Sequence, residues 1–107
     1  MNQPVPQLAP RDVAAKLAAG TPPFLLDVRM PLEIATDGAI EGSTLIPLPE
    51  LPARAAEVPA GREVICVCKS GIRSTNAAMF LRQRGLAASS LAGGMMAWAA
   101  SGLPVKR

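Results

Sequence analysis

The chain has 107 residues, half of them apolar, which suits one small domain with a modest core. Aromatic residues are limited to Phe24, Phe80 and Trp98, too few for base-stacking platforms, so nucleic acid is excluded as a partner. There is no histidine, and two cysteines make neither a closed zinc site nor a disulfide framework, so metal chemistry and Ser-His or Cys-His catalysis are excluded as well.

Charge is unevenly placed. All eight acidic residues lie between Asp12 and Glu63, whereas from Val64 onward the charges are Lys69, Arg73, Arg82, Arg84, Lys106 and Arg107. A field of that sign attracts a small anion. Met1–Pro10 has neither the basic nor the apolar region of a secretory signal, and the cysteine usage fits a reducing compartment, so the expected location is cytoplasmic. The uncharged run Gly85–Val105 is long enough for a membrane span. Its glycines, serines, Pro104 and alanine-rich content predict a strand, a turn and a helix instead, with no membrane partner.

Glycine and proline divide the chain into short units. Pro10 to Gly20 reads as a helix with proline in its first turn, and Phe24–Val28 as a buried strand. Residues 31–37 read as a loop with at most one helical turn, 45–48 as a short strand, and Glu50–Val58 as an alanine-rich helix. Glu63–Cys68 is the clearest strand, rich in β-branched residues and nearly continuous in hydrophobicity, as expected when both faces are covered. A polar loop over 69–73 precedes a helix over Ser74–Arg84, with Ala77, Ala78 and Leu81 on one face. Ser89–Ala92 is a last strand, and Met95–Ala100 a last helix. Trp98 and the methionines other than Met1 read as space-filling at apolar helix positions. Strands alternating with helices predict an α/β class with a parallel sheet.

Ligands of open parallel sheets bind beyond the carboxyl ends of the strands, where Cys68 falls. The amides of residues 69–74 can curl around its sulfur, and Gly71 permits a positive φ on the way. The next helix turns its positive end to the same point, and Lys69 and Arg73 add full charges. Each effect favours thiolate, provided the sulfur is not sealed from solvent. Lys69 suits charge attraction, and Arg73 suits a planar two-point contact. Ser70 and Ser74 bring hydroxyl donors, Ser74 doubling as a helix cap. Cys66, two residues earlier inside the strand, reads as an apolar filler. Asp27, Arg29 and Glu33 read as a network bracing the cysteine loop, although Arg29 reaches Asp27 from two residues away only through a turn.

The loop Cys68-Lys69-Ser70-Gly71-Ile72-Arg73-Ser74 resembles the active-site loop of single-domain rhodaneses. Leu25-Leu26-Asp27-Val28-Arg29 with Glu33 resembles the Asp-x-Arg segment of that family. Gly93-Gly94-Met95-Met96-Ala97-Trp98 through Gly102-Leu103-Pro104-Val105 resembles its closing segment. The likeness runs from about Leu8 to Val105, so residues 1–107 read as one rhodanese-like domain. One departure stands out: Gly38-Ala39-Ile40-Glu41-Gly42 occupies the place where many members carry Gly-His-Ile-Pro-Gly, a difference that bears on loop shape, substrate range and partner contacts.

The resemblance implies a three-layer fold with a parallel sheet of about five strands between helices. It also implies a thiosulfate:cyanide-type sulfurtransferase working through a Cys68 persulfide. Residues 69–74 would hold a small anionic donor such as thiosulfate, a thiol, protein or cyanide acceptor would remove the sulfur, and no cofactor would be required. Two other readings share these residues. Phosphatases and arsenate reductases also use a cysteine and an arginine on an amide-lined loop, but theirs encloses one residue more than Lys69, Ser70, Gly71 and Ile72. A persulfide carrier or docking module would have the same cysteine and little turnover of its own.

Overall fold

The computed structural model describes residues 4–107; Met1–Gln3, where the segment without a secretory pattern begins, lie outside the described residues. Strands β1 (Gln7–Leu8), β2 (Phe24–Asp27), β3 (Thr44–Leu45), β4 (Val64–Val67) and β5 (Ala88–Leu91) form a parallel sheet in the order β1-β5-β4-β2-β3. Helices α1 (Pro10–Ala18), α2 (Pro31–Asp37), α3 (Leu51–Arg54), α4 (Ile72–Gln83) and α5 (Gly94–Ala100) connect or follow them. The class is α/β in three layers, as the alternation of elements predicts.

Period-two alternation along the strands assigns the two cores. Leu26, Val64, Cys66, Cys68 and Ala88 pack on one face with Leu51 of α3 and Ala77, Ala78 and Leu81 of α4. Leu25, Ile65, Val67 and Leu91 pack on the other with Val13 of α1 and Met95 and Trp98 of α5. Every residue of β4 is buried, which explains its unbroken apolar sequence. The run Gly85–Val105 resolves into β5, a turn and α5, and among the described residues no helix is long and apolar enough to cross a membrane.

The chain leaves β2 toward β3 on one side of the sheet and leaves β4 toward β5 on the other. The carboxyl ends of β2 and β4 therefore flank a switch point, and the segments after them, Val28–Met30 and Cys68–Gly71, face one crevice.

Four local expectations change. Residues 31–37 form two turns of helix rather than a loop: Pro31 opens α2, and the Glu33 carboxylate accepts from the Met30 amide at 2.8 Å, satisfying a donor at the helix start. The strand predicted over 45–48 stops at Leu45: Ile46 and Leu48 donate to the adjacent carbonyls of Asp27 and Val28, whereas a regular parallel ladder uses acceptors two residues apart. The helix predicted over 50–58 is split into a 3₁₀ turn (Leu48–Glu50), α3, and a second 3₁₀ turn (Ala55–Glu57), with Pro49 and Pro52 each in a first turn. Of the described methionines, only Met95 fills the core; Met30, Met79 and Met96 are exposed.

Two ion pairs tie the crevice together. Asp27 and Arg29 are each 1% exposed and pair directly, Nη2 to Oδ2 at 2.7 Å and Nε to Oδ1 at 3.0 Å. The turn after β2 folds the guanidinium back, so the two-residue separation is no obstacle. Arg29 also donates to the Gly38 carbonyl at 2.8 Å, satisfying a charge that is costly to bury alone. Glu33 of α2 accepts both terminal nitrogens of Arg73 of α4, at 2.7 and 2.8 Å.

The first turn of α5 lies against the loop after β4. Met95 N–H donates to the Cys68 carbonyl at 2.8 Å, and Met96 N–H to that of Lys69 at 3.0 Å. A Cβ on Gly94 would lie 2.5 Å from the Cys68 and Lys69 main chain, and its φ is +60°. Gly42 has φ +85° with nothing within 4 Å. Gly42→Ala is expected to lose about 1 kcal/mol, the left-handed backbone cost alone, and Gly94→Ala about 2–4 kcal/mol, as read by denaturant unfolding. The hydrogen bonds from Arg73 hold the Glu33 carboxyl down at about 2, against an ordinary 4.5. Its stabilisation is complete above about pH 4.5 and lost as pH falls toward about 2. Unfolding midpoints measured across that window should fall more steeply for the wild type than for Glu33→Gln.

Candidate active site

Cys68 follows the last residue of the central strand, and the chain then turns through Lys69, Ser70 and Gly71 into α4. Gly71 carries φ +105° as the residue preceding the helix, a conformation other side chains rarely adopt. That turn brings the Gly71 N–H to 3.0 Å from the Cys68 sulfur. The Ser74 hydroxyl lies 3.4 Å away, and the amides of Ser70 and Ser74 also act on the sulfur to favour its charged form. Of the amides expected to curl around the sulfur, that of Gly71 makes the hydrogen bond.

Cys66 in β4 and Cys68 just after it face the same core, yet their pKa values move in opposite directions. Burial pushes Cys66 up to about 12, with the neighbouring Cys68 charge adding to the rise. Burial also acts upward on Cys68 and is the largest single influence there. The Ser74 hydroxyl and the amides of Ser74, Gly71 and Ser70 together outweigh it, so the Cys68 thiol falls below its ordinary value. Cys66 is the filler its position implies; Cys68 is the nucleophile candidate.

Cys68 is only 1% exposed, whereas Lys69 and Ser70 beside it face solvent. The sulfur is therefore covered rather than open to solvent as the thiolate reading expects, with the solvent-facing residues directly after it in the loop. Arg73 stands close enough for the Cys68 charge to raise its own pKa, but Glu33 acts on it first and more strongly. Both terminal nitrogens of its guanidinium are engaged by Glu33, so the planar two-point contact expected for an anion is made to a carboxylate of the chain. Lys69 lines a cleft of about 260 Å³ with Met95, Met96, Ala99 and Arg107. Ile72, the first residue of α4, is 72% exposed.

Asp27, Arg29 and Glu33 thus form two braces rather than one network. The segment Gly38–Gly42 holds the last residues of the chain: Ala39 and Lys106 exchange both main-chain hydrogen bonds, at 2.9 and 2.8 Å. That pairing is indifferent to the side chain at 39. Sequence reasoning missed Ser90, whose hydroxyl is 2.7 Å from that of Ser74, and Thr75, which donates to the Gly71 carbonyl at 2.7 Å. A signal was available for Ser90: Ser89-Ser90 is a polar pair inside a wholly buried strand, and buried hydroxyls require partners.

These features are matched in known proteins. The rhodanese-like domain profile fits residues 9–101. A sulfurtransferase of Allochromatium vinosum is 36% identical over 94% of both chains. Among solved structures, a rhodanese-related protein of Thermoplasma volcanium superimposes with a TM-score of 0.86 at 31% identity, covering 94% of this chain and 96% of that one. A rhodanese-like domain protein of Staphylococcus aureus gives 0.84 at 29% identity, covering 95% and 99%. With a five-stranded parallel sheet, a cysteine at the end of its central strand and a profile match across most of its length, the chain belongs to the rhodanese-like domain family.

Proposed function

We propose that the chain moves a sulfane sulfur from a small anionic donor of the thiosulfate type to a thiol, with Cys68 carrying it as a persulfide. The observation behind this reading is a covered thiol whose hydroxyl and amide donors lower its pKa despite burial. The Cys68 thiolate attacks the outer sulfur of thiosulfate, a new S–S bond forms, the old one breaks, and sulfite leaves with its electron pair. The terminal sulfur left on Cys68 is anionic, and the amides of Ser70, Gly71 and Ser74 are the donors available to it. An acceptor thiolate then attacks that sulfur and regenerates the Cys68 thiolate.

Lys69 supplies charge attraction at the mouth, and Ile72 an apolar wall. Arg73, held by Glu33, contributes its field and fixes the start of α4. Asp27 and Arg29 brace the floor of the crevice. The near-complete cover of the sulfur favours a slender donor tip over a bulky one.

A protein thiol is the acceptor the surface favours over a small one. Met30, Leu32, Ile72 and Met96, four large apolar side chains exposed among the described residues, lie at the starts of α2, α4 and α5, beyond the carboxyl ends of the strands. The Glu33–Arg73 pair joins the first two helices there, and the Met96–Lys69 hydrogen bond joins the third to the cysteine loop. Exposed apolar side chains at this end, with Lys69 beside Met96, suit a partner with an acidic, partly apolar surface. A phosphoryl oxyanion is disfavoured, because the loop is one residue shorter than phosphatase loops and Glu33 holds Arg73.

Intact-mass measurement after thiosulfate treatment should show a gain of about 32 Da, one sulfur atom, in wild type and Cys66→Ser and none in Cys68→Ser. Equal loss in both variants would remove Cys68 from its assigned role. Cys68-dependent hydrolysis of an aryl phosphate should be negligible; substantial turnover would favour the phosphatase reading.

A further inference from the structure

Ser74 has one hydroxyl proton and three neighbours that can take it: the Cys68 sulfur at 3.4 Å, the Gly71 carbonyl at 3.2 Å and the Ser90 hydroxyl at 2.7 Å. Ser74 and Ser90 are both fully buried, so no solvent decides among them. Thr75 settles the carbonyl. Its amide and hydroxyl both donate to Gly71, at 3.1 and 2.7 Å, filling the two lone pairs of that oxygen. Gln7 of β1 in turn donates to the Thr75 hydroxyl oxygen at 3.0 Å. The Ser90 hydroxyl has two partners, Ser74 and, at 3.4 Å, Thr75.

We infer that Ser90 is a positioning residue: by donating its buried hydroxyl to Ser74, it aims the single Ser74 proton at the Cys68 sulfur. When the sulfur is a thiol, its S–H donates to Ser74, and Ser74 can turn its proton elsewhere. When the sulfur is a thiolate, Ser74 must donate to it, and the short contact to Ser90 is then satisfied only if Ser90 is the donor. The two hydroxyls reorient together, and no proton is transferred. The arrangement adds a strand outside the cysteine loop to the control of its sulfur, and aligned hydroxyls polarise one another.

The inference rests on Cys68 acting as a thiolate but not on any sulfur donor. Its test is the pH midpoint of Cys68 alkylation by iodoacetamide, followed by intact mass. The groups around the sulfur that also carry charge or titrate are Cys66 on β4, Lys69 in the loop, the Asp27–Arg29 pair after β2, and Arg73 on α4 with its Glu33 partner on α2. Neither β5 nor α5 contributes one, and all are unchanged in the variants. Ser90→Ala should raise the midpoint by about half a pH unit and Ser90→Thr should restore it. In a Ser74→Ala background, Ser90→Ala should add nothing. Should Ser90→Ala fail to fold, Thr75→Val reads the same route, because it frees the Gly71 carbonyl to compete for the Ser74 proton. That variant should also raise the midpoint, and only while Ser74 is present. An unchanged midpoint, or an equal rise with and without Ser74, overturns the inference. Absence of the sulfur adduct with these midpoints intact would instead count against the sulfur-transfer reading alone.

Discussion

The chemistry depends on a close approach between two stretches of main chain. The first turn of α5 takes the carbonyls of Cys68 and Lys69 as hydrogen-bond acceptors, and Gly94 lets the two backbones come within the distance a methyl group would occupy. Carbonyls held on that side leave the amides of the following residues to turn toward the sulfur. Gly71 completes the turn with a backbone that favours glycine. The glycine pair before α5 and the glycine after the cysteine are thus parts of one device, although they lie far apart in the chain.

The two cysteines show what that device achieves. They lie two residues apart on one face of the sheet, share near-complete burial, and differ in what surrounds the sulfur. Cys66 has burial, with the Cys68 charge adding to it, and is driven toward the neutral form. Cys68 has burial opposed by directed donors and moves the other way. Hydrogen bonding at the sulfur, set against a similar depth, separates the two thiols. Of the two cations that look like the source of the effect in the linear sequence, Arg73 is engaged by Glu33 and Lys69 faces solvent.

Much of the fold was legible because its cause is local. Unbroken apolar runs identified β2 and β4, and Ala77, Ala78 and Leu81 marked the inner face of α4, where all three are fully buried. What escaped depends on partners remote in sequence or on proline. β1 has two residues between prolines and becomes a strand only because β5 offers it hydrogen bonds. α2 was concealed by the absence of a Ser, Thr, Asp or Asn before Pro31; Glu33 supplies the cap from inside. Of the candidate site, the cysteine, its glycine and Ser74 could be read directly. The Glu33–Arg73 partnership and Ser90 could not, since pairing across the crevice and across the sheet is set by topology rather than by spacing.

The outermost strands, β1 and β3, are only two residues long. Edges so short offer little template for an incoming strand, so adhesion by sheet extension is suppressed at both flanks. The molecule can therefore keep greasy side chains around its sulfur-bearing crevice without that stickiness spreading into fibrous self-assembly.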